Sequence, residues 1–343
     1  MTDEVLFERR GGVGLITLNR PKALNALTHD MVVAMKRQLR AWAEDAAVGC
    51  VVIRGAGGRA FCAGGDIRAV AESGRARSSY ALDFWRDEYI LNAAIKHYKK
   101  PYLALISGIA MGGGLGVSVH GTYRVVDETA LFAMPETGIG FFPDVGGSFF
   151  LPRCPGETGL YLALTGARLK STDALYTGLA THFVPAAASE ALLNRLAEGE
   201  TPVRVLADLA QSSGDAPLAR YRETIDRIFS LNSVDRILAA LDAETDAWSR
   251  ETAATIRTKS PTSLRIVVRE MRAGKGMTLD DCLRMEFRMA SRILVGLDFY
   301  EGVRAVLVDK DQSPRWQPAS LAQVSDEAVG VYFESLGDKE LPL

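Results

Sequence analysis

Cysteine and histidine are scarce in this chain, four of each among 343 residues. Cys50, Cys62, Cys154 and Cys282 lie far apart with no C-x-x-C pair, and His29, His97, His120 and His182 are equally dispersed. Such spacing offers no disulfide framework and no zinc or H-E-x-x-H signature, so no metal is expected. An excess of either charge is lacking too. The 40 basic and 42 acidic residues leave a net charge of −2, which argues against a basic nucleic-acid face or a polybasic membrane anchor. No apolar run approaches the roughly 18 residues needed to span a membrane. The opening MTDEVLFERR is acidic and has neither a signal-peptide core nor an Arg/Ser-rich transit pattern. Together these features predict a cytoplasmic protein without nucleic-acid or membrane partners.

Apolar residues make up 48% and charged ones 24%, enough to bury a large core in about two domains. The first half alternates strand-like and helix-like segments. VGLITLN (13–19), GCVVIRG (49–55) and PYLALIS (101–107) are β-rich runs, with LTHDMVVAMKRQLRAWAEDA (27–46) helical behind an N-cap at Thr28. A long amphipathic segment spans 78–98, a short apolar helix follows Gly112, and TYRVV, ALFAM and HFVP read as short strands. Strands separated by helices predict an α/β fold with largely parallel pairing. A polar break at 198–216 suggests a core over 1–200 and a helical C-terminal region over 201–343.

Three glycine-rich segments carry the functional signal. VVIRGAGGRA matches G-x-G-x-x-A at Gly55, Gly57 and Ala60, but no helix opens there and no acidic residue follows on a second strand, so a dinucleotide site is not supported. In FCAGGDIRAV, Gly64-Gly65 permits a turn that points the Gly65 amide outward, while Asp66 is placed to N-cap the next segment. In GIAMGGGLGVSVHG, glycines feed an apolar helix whose bare amides suit an anion or an oxygen gaining negative charge. Two such turns, at Gly65 and Gly113, could make a two-donor oxyanion hole; close helix–strand packing explains the glycines equally.

FAMPETGIGFFPDVGG (132–147) holds two acids, Glu136 and Asp144, in an otherwise apolar, glycine-rich run. A carboxylate costs several kcal/mol to desolvate unless it is paired or hydrogen-bonded, so these are either structural caps or chemical groups. Gly138, Gly140 and Pro143 exclude a regular element between them, and a loop must bring them together. His120 and Arg124 share an apolar neighbourhood and read as structural.

NRPKALNAL (19–27), FCAGGDI (61–67), GIAMGGGLG (108–116) and the PE…FPDVGG block, in this order, resemble the crotonase, or enoyl-CoA hydratase/isomerase, superfamily. LTGARLKSTDALYTGLATHFVP, the KSP at 259–261 and DFYEGVRAVLVDKDQSPRW extend the likeness over nearly the whole chain. The wording of several blocks is similar to the 3-hydroxyisobutyryl-CoA hydrolase branch. The resemblance implies a crotonase-like spiral of ββα units with a helical C-terminal region. It implies an acyl-CoA substrate, no separate cofactor since coenzyme A belongs to the substrate, and a homo-oligomer. It places the thioester carbonyl between the amides of Gly65 and Gly113, with Lys22 and Leu24 on the CoA moiety and Lys310 a weaker phosphate candidate. Ala63, Asp66 and Glu88 become substrate contacts, Glu88 toward a 3-hydroxyl.

Hydratases of the superfamily use two glutamates, and the first of those positions is Gly116 here. The second is Glu136, and Asp144 replaces a usual glycine. The resemblance therefore implies thioester hydrolysis in valine degradation, with Glu136 as nucleophile or general base and Asp144 orienting water or moving a proton. The alternatives are a hydratase or isomerase acting on another short acyl-CoA, and a CoA-binding protein without catalysis.

Overall fold

The computed structural model describes residues 3–343, which form two compact units that are not consecutive in sequence. The first gathers the chain through Asp66, Asp87–Ala133 and Arg168–Ala219; the second gathers Ile67–Arg86, Met134–Ala167 and Arg220–Leu343.

The first unit is built from ten strands: β1 (Val5–Arg10), β2 (Val13–Leu18), β3 (Cys50–Gly55), β4 (Ala60–Cys62), β5 (Tyr102–Ile106), β6 (Ile109–Met111), β7 (Tyr123–Val126), β8 (Leu131–Ala133), β9 (Leu169–Lys170) and β10 (His182–Phe183). They pair as a six-stranded sheet, β1-β2-β3-β5-β7-β10, and a four-stranded one, β4-β6-β8-β9. From β3 to β8 the chain gives strands alternately to the two sheets. Each β-β step thus advances both sheets by one parallel strand, which is the spiral of ββα units expected for a crotonase fold. The pairs β1–β2 and β8–β9, at one edge of each sheet, are antiparallel.

Sequence dictates these elements directly. Strands β2 and β3 are apolar on both faces and buried almost throughout, as parallel strands covered on both sides must be. One face of the large sheet contributes Val13, Leu15, Val52, Leu103 and Val125 to a core closed by Leu192, Leu193 and Leu196 of helix Ser189–Ala197 and by Val205 and Leu206. Helix α1 (His29–Glu44) buries Met31, Met35, Leu39 and Trp42, spaced four, four and three residues apart, behind a Thr28 cap that accepts from the Met31 amide. Strands β1, β4, β6 and β9 are not predicted from sequence. Three of them have two or three residues, too few for a period-2 pattern to register.

The first unit also holds helix α4 (Gly113–Gly116), while the second holds α2 (Ile67–Arg75), the start of α3 (Tyr80–Lys96), α5 (Gly147–Phe150) and α6 (Thr158–Thr165). Beyond Arg220 every regular element is helical, as the sequence predicts. Its core includes Trp85 stacked on Phe141 at 5.3 Å and Phe141 on Phe142 at 4.4 Å, with Phe299 beside both Trp85 and Phe141. No helix among the described residues is long and apolar enough to cross a membrane.

Candidate active site

In the first unit the glycine turns meet one acid. Gly64 has φ +108°, a conformation only glycine adopts readily, and a Cβ there would lie 3.6 Å from the Gly113 nitrogen. The turn is fastened by the Leu27 amide on the Gly64 carbonyl at 2.8 Å and the Asp66 amide on the Leu27 carbonyl at 2.9 Å. A Cβ on Gly113 would lie 3.3 Å from the Gly65 nitrogen and 2.5 Å from Glu88 Oε1. The Gly65 amide, Gly113 and the Glu88 carboxyl therefore border one small volume that a side chain would fill. Neither the Gly65 nor the Gly113 N–H donates to another protein group among the described residues. Glu88 is only 2% exposed, so this helix acid is withdrawn from solvent.

The RPKALN loop adjoins this turn, because the Ala63 amide donates to the Leu24 carbonyl at 3.0 Å. Leu24 and Asn25 both take left-handed backbone, φ +52° and +56°. Buried Asn25 holds them there: its Oδ1 accepts from the Arg20 amide at 2.9 Å, and its Nδ2 donates to the carbonyls of Ala56 at 2.9 Å and Ala60 at 2.8 Å. Lys22 stands exposed on the Pro21–Ala23 turn. Asp66 pairs with Arg20 at 3.1 Å, which employs one of its oxygens. Arg124 donates to the carbonyls of Leu179, Gly121 and Gly178, in keeping with a structural role, and His120 is buried.

The second unit carries the acids. Glu136 opens the 3-10 turn Glu136–Ile139 after Pro135, and that turn is tied to the C-terminal helices by the Ser260 amide on the Thr137 carbonyl at 3.2 Å. Glu136 is 7% exposed and its Oε2 has no hydrogen-bond partner. Burial first, and the neighbouring Asp144 second, push its pKa well above the usual carboxylate range. The loop does fold back to bring the two acids together.

Asp144 is 6% exposed and begins a turn closed by the Gly147 amide on its carbonyl at 2.8 Å. Val145 follows at φ +53° and Gly146 at φ +85°. A β-branched residue in the left-handed region is a backbone outlier costing about 1–3 kcal/mol, and such strain persists only where the surroundings over-determine it. Glu286, fully buried on helix Leu279–Ile293, supplies that support. It accepts from the Gly146 amide at 2.7 Å, the Ser148 amide at 3.0 Å and the Ser148 hydroxyl at 2.6 Å. Burial raises its pKa to about 8 against the pull of these donors. Glu270, on helix Pro261–Gly274, is fully buried with neither carboxyl oxygen hydrogen-bonded. Burial and the Glu286, Asp144 and Glu136 carboxyls push its pKa well up. No group of three or more His, Cys, Asp or Glu side chains among the described residues is arranged to hold a metal ion.

A model of the enoyl-CoA hydratase/isomerase family matches residues 13–333. The chain belongs to that family. Among curated relatives it is 50% identical to a Danio rerio protein named 3-hydroxyisobutyryl-CoA hydrolase, mitochondrial, over 99% of this chain and 92% of the relative. The Homo sapiens protein of the same name is 45% identical over 99% and 90%. Among solved structures, a carnitinyl-CoA dehydratase from Mycobacterium thermoresistibile superposes with TM-score 0.95 at 44% identity, covering 99% of this chain and 98% of that one. An enoyl-CoA hydratase from Rhodobacter sphaeroides 2.4.1 superposes with TM-score 0.94 at 38% identity, covering 99% and 100%.

The relatives correct one expectation. The sequence reading pointed to the cytoplasm, whereas the curated family members just described are named as mitochondrial. Composition and net charge describe what a folded chain needs in water, and compartment is addressed by separate targeting signals. Glu270 and Glu286 lie outside the family motifs and are not among the sequence-predicted site residues. A signal for them exists in the sequence: each is an acid on the apolar stripe of an amphipathic helix. Glu270 lies four residues after Ile266 and three after Val267; Glu286 lies three after Leu283 and three before Met289, and all four of these apolar residues are buried. Lys310, the weaker phosphate candidate, is exposed.

Proposed function

We propose that this chain is an acyl-CoA thioester hydrolase that converts 3-hydroxyisobutyryl-CoA and water to 3-hydroxyisobutyrate and coenzyme A, a step of valine degradation. The observation that carries the reading is the buried Glu136–Asp144 pair in a family member with glycine at position 116, where a two-glutamate hydratase needs its other acid. The names of the curated relatives support it. The Gly65 and Gly113 amides receive the thioester oxygen as negative charge develops on it. Glu88, bordering the same volume, takes the 3-hydroxyl. Ala63 and Asp66 line the acyl-CoA path, and Lys22 and Leu24 meet the CoA moiety.

Glu136 is the reacting carboxylate. Its raised pKa makes it a stronger base than an exposed glutamate, suited to removing a proton from water as that water attacks the thioester carbon. Attack by the carboxylate itself gives a mixed anhydride that water then opens; the acids present serve either course. Asp144 orients the water and relays the proton that Glu136 takes from it to the departing thiolate, which leaves as the thiol. Coenzyme A is part of the substrate, and no resident cofactor is invoked. The enzyme works without nucleic-acid or membrane partners, and as a homo-oligomer.

A second reading, hydration or dehydration of an enoyl-CoA, is favoured by the names of the two similar solved structures. Thiol release from 3-hydroxyisobutyryl-CoA, with 3-hydroxypropionyl-CoA, acetyl-CoA and crotonyl-CoA alongside, separates the two. Release confined to short 3-hydroxyacyl thioesters, and lost in Glu136→Gln and Asp144→Asn, is the expected result. Hydration of crotonyl-CoA without thiol release would overturn the hydrolase.

A further inference from the structure

We propose that Glu286 is the positioning residue for Asp144, its carboxyl gripping the Gly146 and Ser148 amides and the Ser148 hydroxyl so that the strained turn presents the Asp144 side chain in one orientation. This rests on the reading of Asp144 as an active-site acid.

The turn draws support from a residue far along the chain. Val145 stands at φ +53° and Gly146 at φ +85°, and the local bond from the Gly147 amide to the Asp144 carbonyl leaves the Gly146 and Ser148 amides to find acceptors elsewhere. Glu286 accepts from both, across 140 and 138 residues of sequence. It stands mid-way along the 15-residue helix Leu279–Ile293, whose N-terminus is capped by Thr278, so the acceptor is mounted on a rigid element. The helix Pro261–Gly274 bears on the same place: a Cβ on Gly274 would lie 2.0 Å from the Ser148 carbonyl oxygen.

A carboxyl is the side chain suited to this task. Two N–H donors and one hydroxyl converge on two oxygens, and the ionised carboxylate, the form these donors favour against the pull of burial, accepts at both. A glutamine of the same shape would turn an NH2 group toward one of the amides, donor against donor, and the strained Val145 would be free to relax. Glu286 is fully buried and its oxygens are engaged by the turn, so it acts through Asp144 and not on substrate.

The test is a double-mutant cycle on the full chain. Glu286→Gln should lower kcat for thioester hydrolysis by about 10- to 100-fold, the scale of an ångström-level misplacement, with KM changed less than about threefold. In an Asp144→Asn background the same change should cost less than about threefold, because the group being positioned is already gone. Val145→Gly, which removes the conformational conflict, should restore about tenfold in the Glu286→Gln enzyme. Equal losses in both backgrounds would overturn the proposal, as would a failure of Val145→Gly to restore any rate. Should Glu286→Gln fold poorly, Ser148→Ala removes one of the three bonds and should show the same kcat-only, Asp144-dependent loss at smaller size. Amide exchange at Gly146 and Ser148 gives a readout free of activity: it should quicken in Glu286→Gln while exchange in the first unit stays unchanged. If the native chain releases no thiol, the hydrolase reading falls, and the exchange data alone still decide whether Glu286 is the clamp.

Discussion

Two adjacent glycines offer a direct test of the oxyanion geometry, because a methyl group on each meets a different kind of obstacle. On Gly113 the added carbon would lie 2.5 Å from Glu88 Oε1 and 3.3 Å from the Gly65 nitrogen. The first conflict is with the tip of a side chain, and Gly113 has no left-handed φ to forbid alanine. The fold should tolerate the change, with helix propensity in its favour by up to about 1 kcal/mol. The second contact is the costly one for function. A carbonyl oxygen accepting from the Gly65 amide must come within about 2.7–3.1 Å of it, and the methyl stands in that approach. Loss of one oxyanion donor costs about 10²–10³-fold, or about 2.7–4 kcal/mol of transition-state stabilisation, so kcat/KM of Gly113→Ala should fall at least about 10²-fold with the melting temperature kept. On Gly114 the added carbon would lie 2.2 Å from the Cys62 carbonyl oxygen, which belongs to the backbone of β4. Gly114→Ala should instead destabilise the protein by roughly 1–3 kcal/mol through overpacking. The pair is measured by thiol release and thermal melting on each variant. Turnover of Gly113→Ala within about threefold of the native enzyme would refute the placement of the thioester oxygen.

The other predictions concern charge and loop support. Burial and Asp144 raise the Glu136 pKa, and a base must be ionised to act, so kcat/KM should rise with pH through a limb above the usual carboxylate range. Asp144→Asn removes a like charge and lowers that pKa, so the acid limb of its residual activity should move to lower pH; movement to higher pH would contradict the pairing. Glu88→Gln should reduce kcat/KM for 3-hydroxyisobutyryl-CoA by roughly 10- to 150-fold, the worth of a charged hydrogen bond of about 1.5–3 kcal/mol. It should spare thioesters without the hydroxyl, and an equal fall on acetyl-CoA would remove Glu88 from specificity. Asn25→Ala strands the Arg20 amide and the Ala56 and Ala60 carbonyls, and should lower stability by roughly 2–4 kcal/mol in denaturant titration. A change below about 0.5 kcal/mol would show that the loop does not depend on Asn25.

The amino-acid sequence by itself determined the architecture of this protein. Apolar period, β-branched runs and glycine punctuation placed β2, β3, β5, β7, β8 and β10, α1, the long helix that carries Glu88, and the all-helical region after Arg220, because each of these signals acts over a few neighbouring residues. Motif wording placed the glycine turns and the Glu136–Asp144 block for the same reason. Tertiary structure decided what the local pattern could not carry. The short strands β4, β6 and β9 exist because the neighbouring strand holds them. Glu88 reads as a surface charge along its helix, yet it is buried beside Gly113 once β4 and β6 pair. The support of Asp144 comes from Glu286, 142 positions further along the chain. Burial, like-charge proximity and the holding of a strained turn are relations between distant segments, and those relations exist only when the chain has folded.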